Sequence, residues 1–250
     1  MIQNPILKVL STLKKHDVKC LLIGGQACIV YGAAEFSRDS DFVILCERKN
    51  IEKLQNALSA LKAKTIYAPP LKIEYLERGH ACHFRCNAQG LQGLRIDILS
   101  KMRRCAPFEE LWKRKKMVKL KGGITINVLG LEDLVQSKKT QRDKDWLMLR
   151  RLVENDIILN KANPSEDKIK WWLLENRNIE SLVKLTQGHP VLAKKCANQR
   201  PLLSLAIQRD TKNLSEQLAQ EELLERRKDI EYWKPLRKEL EVLRHRFSSR

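Results

Sequence analysis

Long apolar runs are absent from the sequence, and none approaches the ~20 residues that a membrane-spanning helix needs. The opening segment, MIQNPILKVL, lacks a basic region followed by a long apolar core, so we expect no signal peptide. The sequence also has no internal repeat and no low-complexity tract. We therefore expect a globular cytoplasmic protein that has no membrane partner.

The number and spacing of the cysteines do not indicate a disulfide framework. Seven cysteines are scattered over 250 residues, and a chain of this length can form one large or two smaller cores without covalent staples. We expect reduced thiols, as in a cytosolic protein. A zinc site at His80, Cys82, His83 and Cys86 is the weaker alternative, because the spacing fits no standard finger and His83 would face away from the others on a strand.

Positive charge is in excess, with 48 Lys and Arg against 30 Asp and Glu and a formal net charge of +18. This surplus favours a polyanionic partner, with nucleic acid ahead of a membrane because no strongly basic amphipathic anchor is evident. The densest basic segment contains Lys101, Arg103, Arg104, Lys113, Arg114, Lys115, Lys116, Lys119 and Lys121. It is either a solvated face or the lining of a path for nucleic acid or triphosphate.

The stretch between residues 18 and 45 combines two predicted strands with a glycine pair. Val18 to Ile23 has the length and apolar content of a strand, and Gly24-Gly25 interrupts it. The apolar residues that follow predict one or two helical turns. A glycine pair where a helix begins allows a phosphate to approach backbone N–H groups.

Three acids accompany these strands. Asp39 and Asp41 lead directly into the second apolar strand, and alternation along a strand places both carboxylates on one face. Adjacent carboxylates repel each other unless a cation lies between them, and Mg²⁺ is commonly held by one or two carboxylates plus substrate phosphates. Asp97 lies in a third alternating strand, where a buried acid needs a partner or a metal. A hairpin of residues 80–87 and 94–99 would bring Asp97 beside the first two acids.

The order Gly24-Gly25, Asp39-x-Asp41 and Asp97 resembles the nucleotidyltransferase fold of the DNA polymerase β superfamily. The segment GGQA…YG…S-x-D-x-D is most similar to the AbiEii-like nucleotidyltransferases, a bacterial group that includes toxins of abortive-infection systems. The resemblance covers about residues 18–153. It departs from the pattern at Glu35, where relatives often carry Arg.

This resemblance implies an enzyme that transfers a nucleoside monophosphate from a nucleoside triphosphate to an acceptor hydroxyl. The acceptor could be an RNA 3′ end, a protein hydroxyl or a small molecule, and the positive net charge favours RNA. Two Mg²⁺ ions would be held by Asp39, Asp41 and Asp97, and the nucleotide would be bound by Gly24, Gly25 and Ser37 among others. A toxin of this kind would also have an antitoxin protein as its partner.

A second resembling segment is EDLVQSKKTQRDKDWLMLRRL, in which relatives carry a Lys after E-D-L and then R-x-K-D. The matching residues are Lys138, Arg142, Lys144 and Asp145. The sequence predicts one helix here, with Lys138 and Arg142 four residues apart on the same face. Cationic side chains beside a triphosphate would stabilise its binding and the departing pyrophosphate. Charge pairs on an exposed helix are the alternative interpretation.

The predicted fold class is α+β: a nucleotidyltransferase-type mixed sheet with flanking helices, followed by an all-helical C-terminal domain. The segment NKANPSE, from Asn160 to Glu166, predicts a linker, so we expect domains at 1–159 and 160–250. Pro235 is expected to separate two helices near the end of the chain.

Two other functions remain open. An antibiotic-type nucleotidyltransferase acting on a small cationic substrate is disfavoured by the net charge of +18. A non-catalytic nucleic-acid-binding module of the same fold is disfavoured because all three acids are present.

Overall fold

The computed structural model describes residues 4–120 and 123–248, which form a mixed sheet with flanking helices and then a series of helices. The strands are β1 (Cys20–Ile23), β2 (Asp39–Ile44), β3 (Lys64–Thr65), β4 (Cys82–Arg85), β5 (Arg95–Leu99), β6 (Lys116–Lys119) and β7 (Thr125–Val128). The helices that flank or follow them are α1 (Asn4–Lys15), α2 (Gly24–Val30), α3 (Arg48–Ala60), α4 (Ile73–Arg78), α5 (Phe108–Lys113) and α6 (Leu131–Ser137). The later helices are α7 (Asp143–Asn160), α8 (Glu166–Glu175), α9 (Ile179–Gly188), α10 (Pro190–Ala197), α11 (Leu203–Gln208) and α12 (Thr211–Ser248). The predicted α+β class is confirmed.

The strands pair in the order β3-β4-β5-β2-β1-β7-β6. The parallel pairs are β2 with β5 and β1 with β7, and the other neighbours are antiparallel. The predicted hairpin is confirmed as the antiparallel pair β4–β5. Strand β2 therefore lies between β5 and β1 in the middle of the sheet, with an acid-bearing strand as one neighbour and the strand before the glycine pair as the other.

Alternating side chains of the central strands separate a buried layer from a more polar face. Phe42 in β2 and Ile96 and Ile98 in β5 are fully buried, whereas the acids alternate with them. Helix α1 begins and ends where the sequence predicts, and its buried residues, such as Leu13, lie on one side of the helix. Each fully buried Leu, Ile or Phe contributes about 1.5–3 kcal/mol through removal of apolar surface from water.

Helix α12 runs through Pro235 without interruption, so the predicted break at this proline is wrong. A proline inside a helix removes one backbone hydrogen bond and costs about 3 kcal/mol relative to Ala. The helix nevertheless continues on both sides of Pro235, from Thr211 to Ser248. Within the segment predicted as a linker, α7 ends at Asn160 and α8 begins at Glu166. Both helices lie in the same compact unit, so the role of this loop as a domain linker stays a prediction.

Internal contacts divide the chain into two compact units. The first contains Met1–Ser137 and Glu231–Arg250, and the second contains Lys138–Ile230. This division differs from a boundary after residue 159, because α7 belongs to the second unit and the end of α12 to the first. The assignment of domains to 1–159 and 160–250 stays a prediction.

Over the ranges 4–120 and 123–248, no helix combines the length and apolar character needed to cross a bilayer. The seven cysteines are free thiols. Burial raises the pKa of Cys20 and of Cys82 to about 12, so these two thiols stay protonated at neutral pH.

Candidate active site

The three predicted acids lie on two adjacent strands in the middle of the sheet. Asp41 of β2 and Asp97 of β5 are direct partners in the parallel ladder, so their side chains leave the same face from strands about 4.8 Å apart. Asp39 precedes Asp41 by two residues and shares that face. The structure thus places all three carboxylates on one face of the sheet.

The glycine pair is explained by two side chains that approach it closely. Gly24 has φ +67°, and a Cβ at this position would lie 1.9 Å from the Asp41 carboxylate oxygen Oδ2. A Cβ at Gly25 would lie 2.4 Å from the Ser37 hydroxyl oxygen. Both distances are far below van der Waals contact, so these positions require glycine for the turn to pack against Asp41 and Ser37.

Gln26 ties the loop before β2 to the start of α2. Its side-chain Nε2 donates a 2.8 Å hydrogen bond to the Ser37 carbonyl, and only 1% of Gln26 is exposed. The Ser37 hydroxyl in turn donates to the Asp39 carbonyl at 3.4 Å. These contacts fix the approach to the acids. The nucleotide-binding roles of Gly24, Gly25 and Ser37 stay predictions.

The His83 imidazole and the Arg95 guanidinium, both on the β4–β5 hairpin, hold Asp97. Its Oδ1 atom lies 2.9 Å from His83 Nδ1 and accepts a 2.8 Å hydrogen bond from Arg95 Nε. His83 is the direct partner of Asp97 across the hairpin, and Arg95 lies two residues before Asp97 on the same face. Burial raises the pKa of Asp97, but the hydrogen bonds and charges of His83 and Arg95 outweigh it, so the pKa lies below its ordinary value.

Sequence reasoning missed His83, Arg95 and Gln26 as supports of the acids. The spacing of Arg95 and Asp97 by two residues on a predicted strand is a signal that both side chains share a face. His83 required the hairpin register, which a sequence alone leaves open. Cys82 and Cys86 are buried away from the Asp97 face, as the alternation predicts for residues on the opposite side from His83.

The donor chemistry of the three acids fits a hard divalent cation such as Mg²⁺, which prefers carboxylate oxygens. Both contacts to Asp97 fall on Oδ1, and within the described part of the chain its Oδ2 atom accepts no hydrogen bond, so Oδ2 is available as a ligand. In the same part of the chain, no group of three or more His, Cys, Asp or Glu side chains is already converged on a metal position. Binding of Mg²⁺ by Asp39, Asp41 and Asp97 therefore stays a prediction.

The predicted continuous helix around Lys138 and Arg142 is wrong. Helix α6 ends at Ser137 and α7 begins at Asp143, so the two cations do not share a helical face. Residues 138–142 instead form a loop, because the Asp145 carboxylate at the start of α7 gathers the polar groups of this segment. Trp146 Nε1 secures the same loop through a 2.7 Å hydrogen bond to the Thr140 carbonyl.

Asp145 accepts three side-chain contacts in this loop. They come from Lys138 Nζ at 2.9 Å, the Thr140 hydroxyl at 2.7 Å and Arg142 Nε at 2.7 Å. Burial raises the pKa of Asp145, but the charges of Lys138 and Arg142 outweigh it and lower the pKa. Lys138 is buried, whereas the Arg142 side chain is 58% exposed. Their contact with a triphosphate stays a prediction.

Comparison with known proteins gives similarity at the level of structure only. No protein-family model matches the chain, and no curated protein sequence matches it. One similar solved structure is a candidate nucleotidyltransferase from Thermotoga maritima, with 18% identity, a TM-score of 0.40, and coverage of 65% of this chain and 96% of the other. Another is a candidate nucleotidyltransferase from H. pylori, with 15% identity, a TM-score of 0.42, and coverage of 86% and 94%. Both TM-scores are below 0.5, so the function proposed below rests on residues of this chain.

Proposed function

We propose that this chain is a metal-dependent nucleotidyltransferase that moves a nucleoside monophosphate from a nucleoside triphosphate to an acceptor hydroxyl. The observation that carries the proposal is the register of Asp41 and Asp97 in the parallel ladder, with Asp39 on the same face. The close approach of Gly24 to Asp41 supports it, because it packs the strand-glycine-helix turn of the resembling motif against an acid of its D-x-D strand.

In this reaction the acceptor oxygen forms a bond to the α-phosphorus, the bond from that phosphorus to the pyrophosphate oxygen breaks, and the hydroxyl proton passes to solvent. Bound Mg²⁺ would activate the hydroxyl and offset the charge of the leaving pyrophosphate. Asp39, Asp41 and Asp97 would supply its oxygen ligands. Arg95 and His83 keep Asp97 ionised and fix its orientation through Oδ1, so Oδ2 would be the atom that binds the metal.

Lys138 and Arg142 are proposed to act on the triphosphate in different ways. Arg142 keeps more than half of its side chain exposed while it bonds to Asp145, so it can also meet a phosphate. Lys138 is buried against Asp145, and its burial supports a role in ordering the loop that carries Arg142.

RNA is the proposed acceptor, and the net charge of +18 supports a polyanionic substrate. A role as a cytoplasmic toxin that is neutralised by an antitoxin protein rests on the sequence resemblance to AbiEii-like enzymes. The antibiotic-type and non-catalytic alternatives are outcomes of the experiment that follows.

The test is to incubate the protein with each α-labelled nucleoside triphosphate, Mg²⁺ and total RNA, and to follow label in RNA, protein and small-molecule fractions. We expect label in RNA, and we expect Asp41→Asn to abolish it while the protein stays folded. Asp17→Asn is the matched control, because Asp17 is an exposed acid of the same unit and Asn tolerates its φ of 52°. Undiminished transfer by Asp41→Asn would overturn the mechanism. Label in a small molecule would support the antibiotic-type enzyme, and absence of transfer with retained RNA binding would support the non-catalytic module.

A further inference from the structure

A row of direct strand partners, one acid followed by three positive side chains, runs from the carboxylate face towards one edge of the sheet. Direct strand partners leave the same face, and from β2 through β5 and β4 to β3 the partners in one row are Asp39, Arg95, Arg85 and Lys64. Three strand spacings of about 4.8 Å give the row a length of roughly 14 Å. The row thus begins at the proposed reaction centre and ends at the outermost strand.

The two outer members of this row are open to solvent. Arg85 and Lys64 are both exposed, and within the ranges 4–120 and 123–248 neither side chain has an ion pair or a hydrogen bond. Their charges are therefore available to an anionic ligand. Arg95 is only partly available, because its Nε atom donates to Asp97.

The basic segment of residues 101–119 is more fully engaged with the protein itself. Arg114 donates two hydrogen bonds to Asp133, at 3.0 and 2.8 Å, and Lys113 pairs with Glu110 at 2.7 Å. Lys115 lies against the Trp112 ring at 4.3 Å. Lys121 lies outside the described residues. The row on the sheet is thus the better candidate for a nucleic-acid path than this segment.

An exposed aromatic ring lies beside the same row. Tyr67 follows β3, and 48% of it is exposed. Its ring meets His83 edge-on at 5.8 Å, and the Arg95 guanidinium carbon lies 5.8 Å from the ring centroid. Tyr67 therefore touches both residues that hold Asp97, and its open surface can stack a base.

We propose that Arg95, Arg85 and Lys64, together with Tyr67, bind the single-stranded end of the acceptor nucleic acid and lead its terminal hydroxyl to the acids. Proteins commonly bind single-stranded nucleic acids with a line of cations and an adjacent aromatic ring. The cations bind the phosphates, and the ring stacks on a base. This inference rests on the proposed function, and it adds the class of acceptor and the residues that bind it.

The test is a binding titration without NTP and with a chelator, so that no turnover is needed. A fluorescent single-stranded RNA of roughly 12 nucleotides, within the usual site size, is titrated with the wild type and variants at several salt concentrations. The double variant Arg85→Gln/Lys64→Gln should bind more weakly, and the negative slope of log K against log salt should become less steep by about 1.4, or about 0.7 for each lost phosphate contact. Tyr67→Ala should weaken binding at least about fivefold with its salt slope unchanged.

The matched control is Arg48→Gln/Lys194→Gln, which removes the same two charges from exposed positions elsewhere. It should retain the wild-type slope. If the two double variants behave alike, the path is overturned, whether or not transfer occurs. If Arg85→Gln/Lys64→Gln raises the NTP requirement but leaves RNA binding intact, the path is also overturned, because the row then binds the triphosphate. If no nucleotidyl transfer is found but the salt dependence of RNA binding becomes weaker in Arg85→Gln/Lys64→Gln as predicted, the proposed function is rejected and the proposed RNA path is supported.

Discussion

Gly24 and Gly90 both have left-handed backbone conformations, with φ of +67° and +75°, yet their surroundings differ. A Cβ at Gly24 would collide with Asp41, whereas a Cβ at Gly90 would have nothing within 4 Å. The two glycines therefore separate the cost of backbone strain from the effect of displacing an acid.

We expect Gly24→Ala and Gly90→Ala to lose about 1–2 kcal/mol each from left-handed strain, with a further loss in Gly24→Ala from the clash. Only Gly24→Ala should lose nucleotidyl transfer, because its methyl group must displace Asp41. Urea unfolding and transfer assays on both variants check this. Equal activity of the two variants would show that the position of Asp41 does not depend on this turn.

Asp145 should make stability depend on pH in the acid range. Its native pKa is lowered from the ordinary value of 3.8, so its contribution is complete above that value and is lost as the pH falls through the native pKa. At pH 7, Asp145→Asn leaves Lys138 buried without a charged partner, and we expect a loss of about 3–5 kcal/mol. Below pH 3.8 the Asp145 carboxyl of the unfolded chain takes up a proton before the native carboxyl does, so the difference between wild type and Asp145→Asn should shrink near pH 3.

The control for Asp145→Asn is Asp143→Asn, in the same first turn of α7. Asp143 is 95% exposed and pairs with Arg226, so we expect a loss of about 1 kcal/mol or less. Urea unfolding at both pH values measures the two variants. A loss for Asp145→Asn that is the same at pH 7 and near pH 3 would contradict the ion-pair explanation.

Sequence reasoning located the acids because strand alternation fixes which side chains share a face. Asp39 and Asp41 needed only local periodicity. Their alignment with Asp97 required the pairing of β2 with β5, which is set by tertiary contacts over more than 50 residues. His83 meets Asp97 through the register of the β4–β5 hairpin, which the sequence leaves open, and for this reason His83 was not identified from the sequence.

At the level of elements, periodicity predicted the helices and strands well where apolar residues recur, as in α1 and the β4–β5 hairpin. It failed at residues 138–142, because the buried ion pair and the Trp146 hydrogen bond there overcome helical continuity. The predicted helix break at Pro235 was also wrong. A proline lowers the stability of a helix, but the sequence pattern does not tell whether the rest of the helix is stable enough to tolerate it.

Replacing Pro235 should stabilise α12. Pro235→Ala restores a backbone donor and removes ring crowding, so we expect the free energy of unfolding to rise by up to about 3 kcal/mol. Lys234→Ala is the control, because this neighbouring side chain is 61% exposed and Ala also favours helix. Chemical denaturation of both variants gives the values. A loss of stability in Pro235→Ala would mean that the proline ring itself packs favourably.

For the molecule as a whole, the net charge of +18 predicts a dependence on ionic strength that has opposite signs for stability and for the proposed RNA binding. Like charges repel in the compact state, and the screening length falls from about 30 Å at 0.01 M salt to about 8 Å at 0.15 M. We expect salt to raise Tm by a few degrees, since about 1 kcal/mol corresponds to roughly 2–4 °C in a chain of this size.

Thermal unfolding in NaCl and in KCl at matched ionic strengths tests this expectation, because screening depends on ionic strength and the two salts should agree. RNA binding should weaken over the same range. A fall in Tm with salt would mean that attractive ion pairs outweigh the repulsion among the excess positive charges.

The first compact unit takes in Glu231–Arg250 as well as the sheet. In this unit Glu239 pairs with Arg78 and lies 3.0 Å from His80, while Leu236 and Tyr232 lie beside the position of Gly79. On a translating ribosome, β7 and the strands described before it are made about 100 residues before Glu231. At roughly 5–20 residues per second this interval lasts about 5–20 seconds. A nascent chain therefore holds the acid-bearing strands for several seconds before the residues that contact Arg78, Gly79 and His80 at the end of α4 have been made.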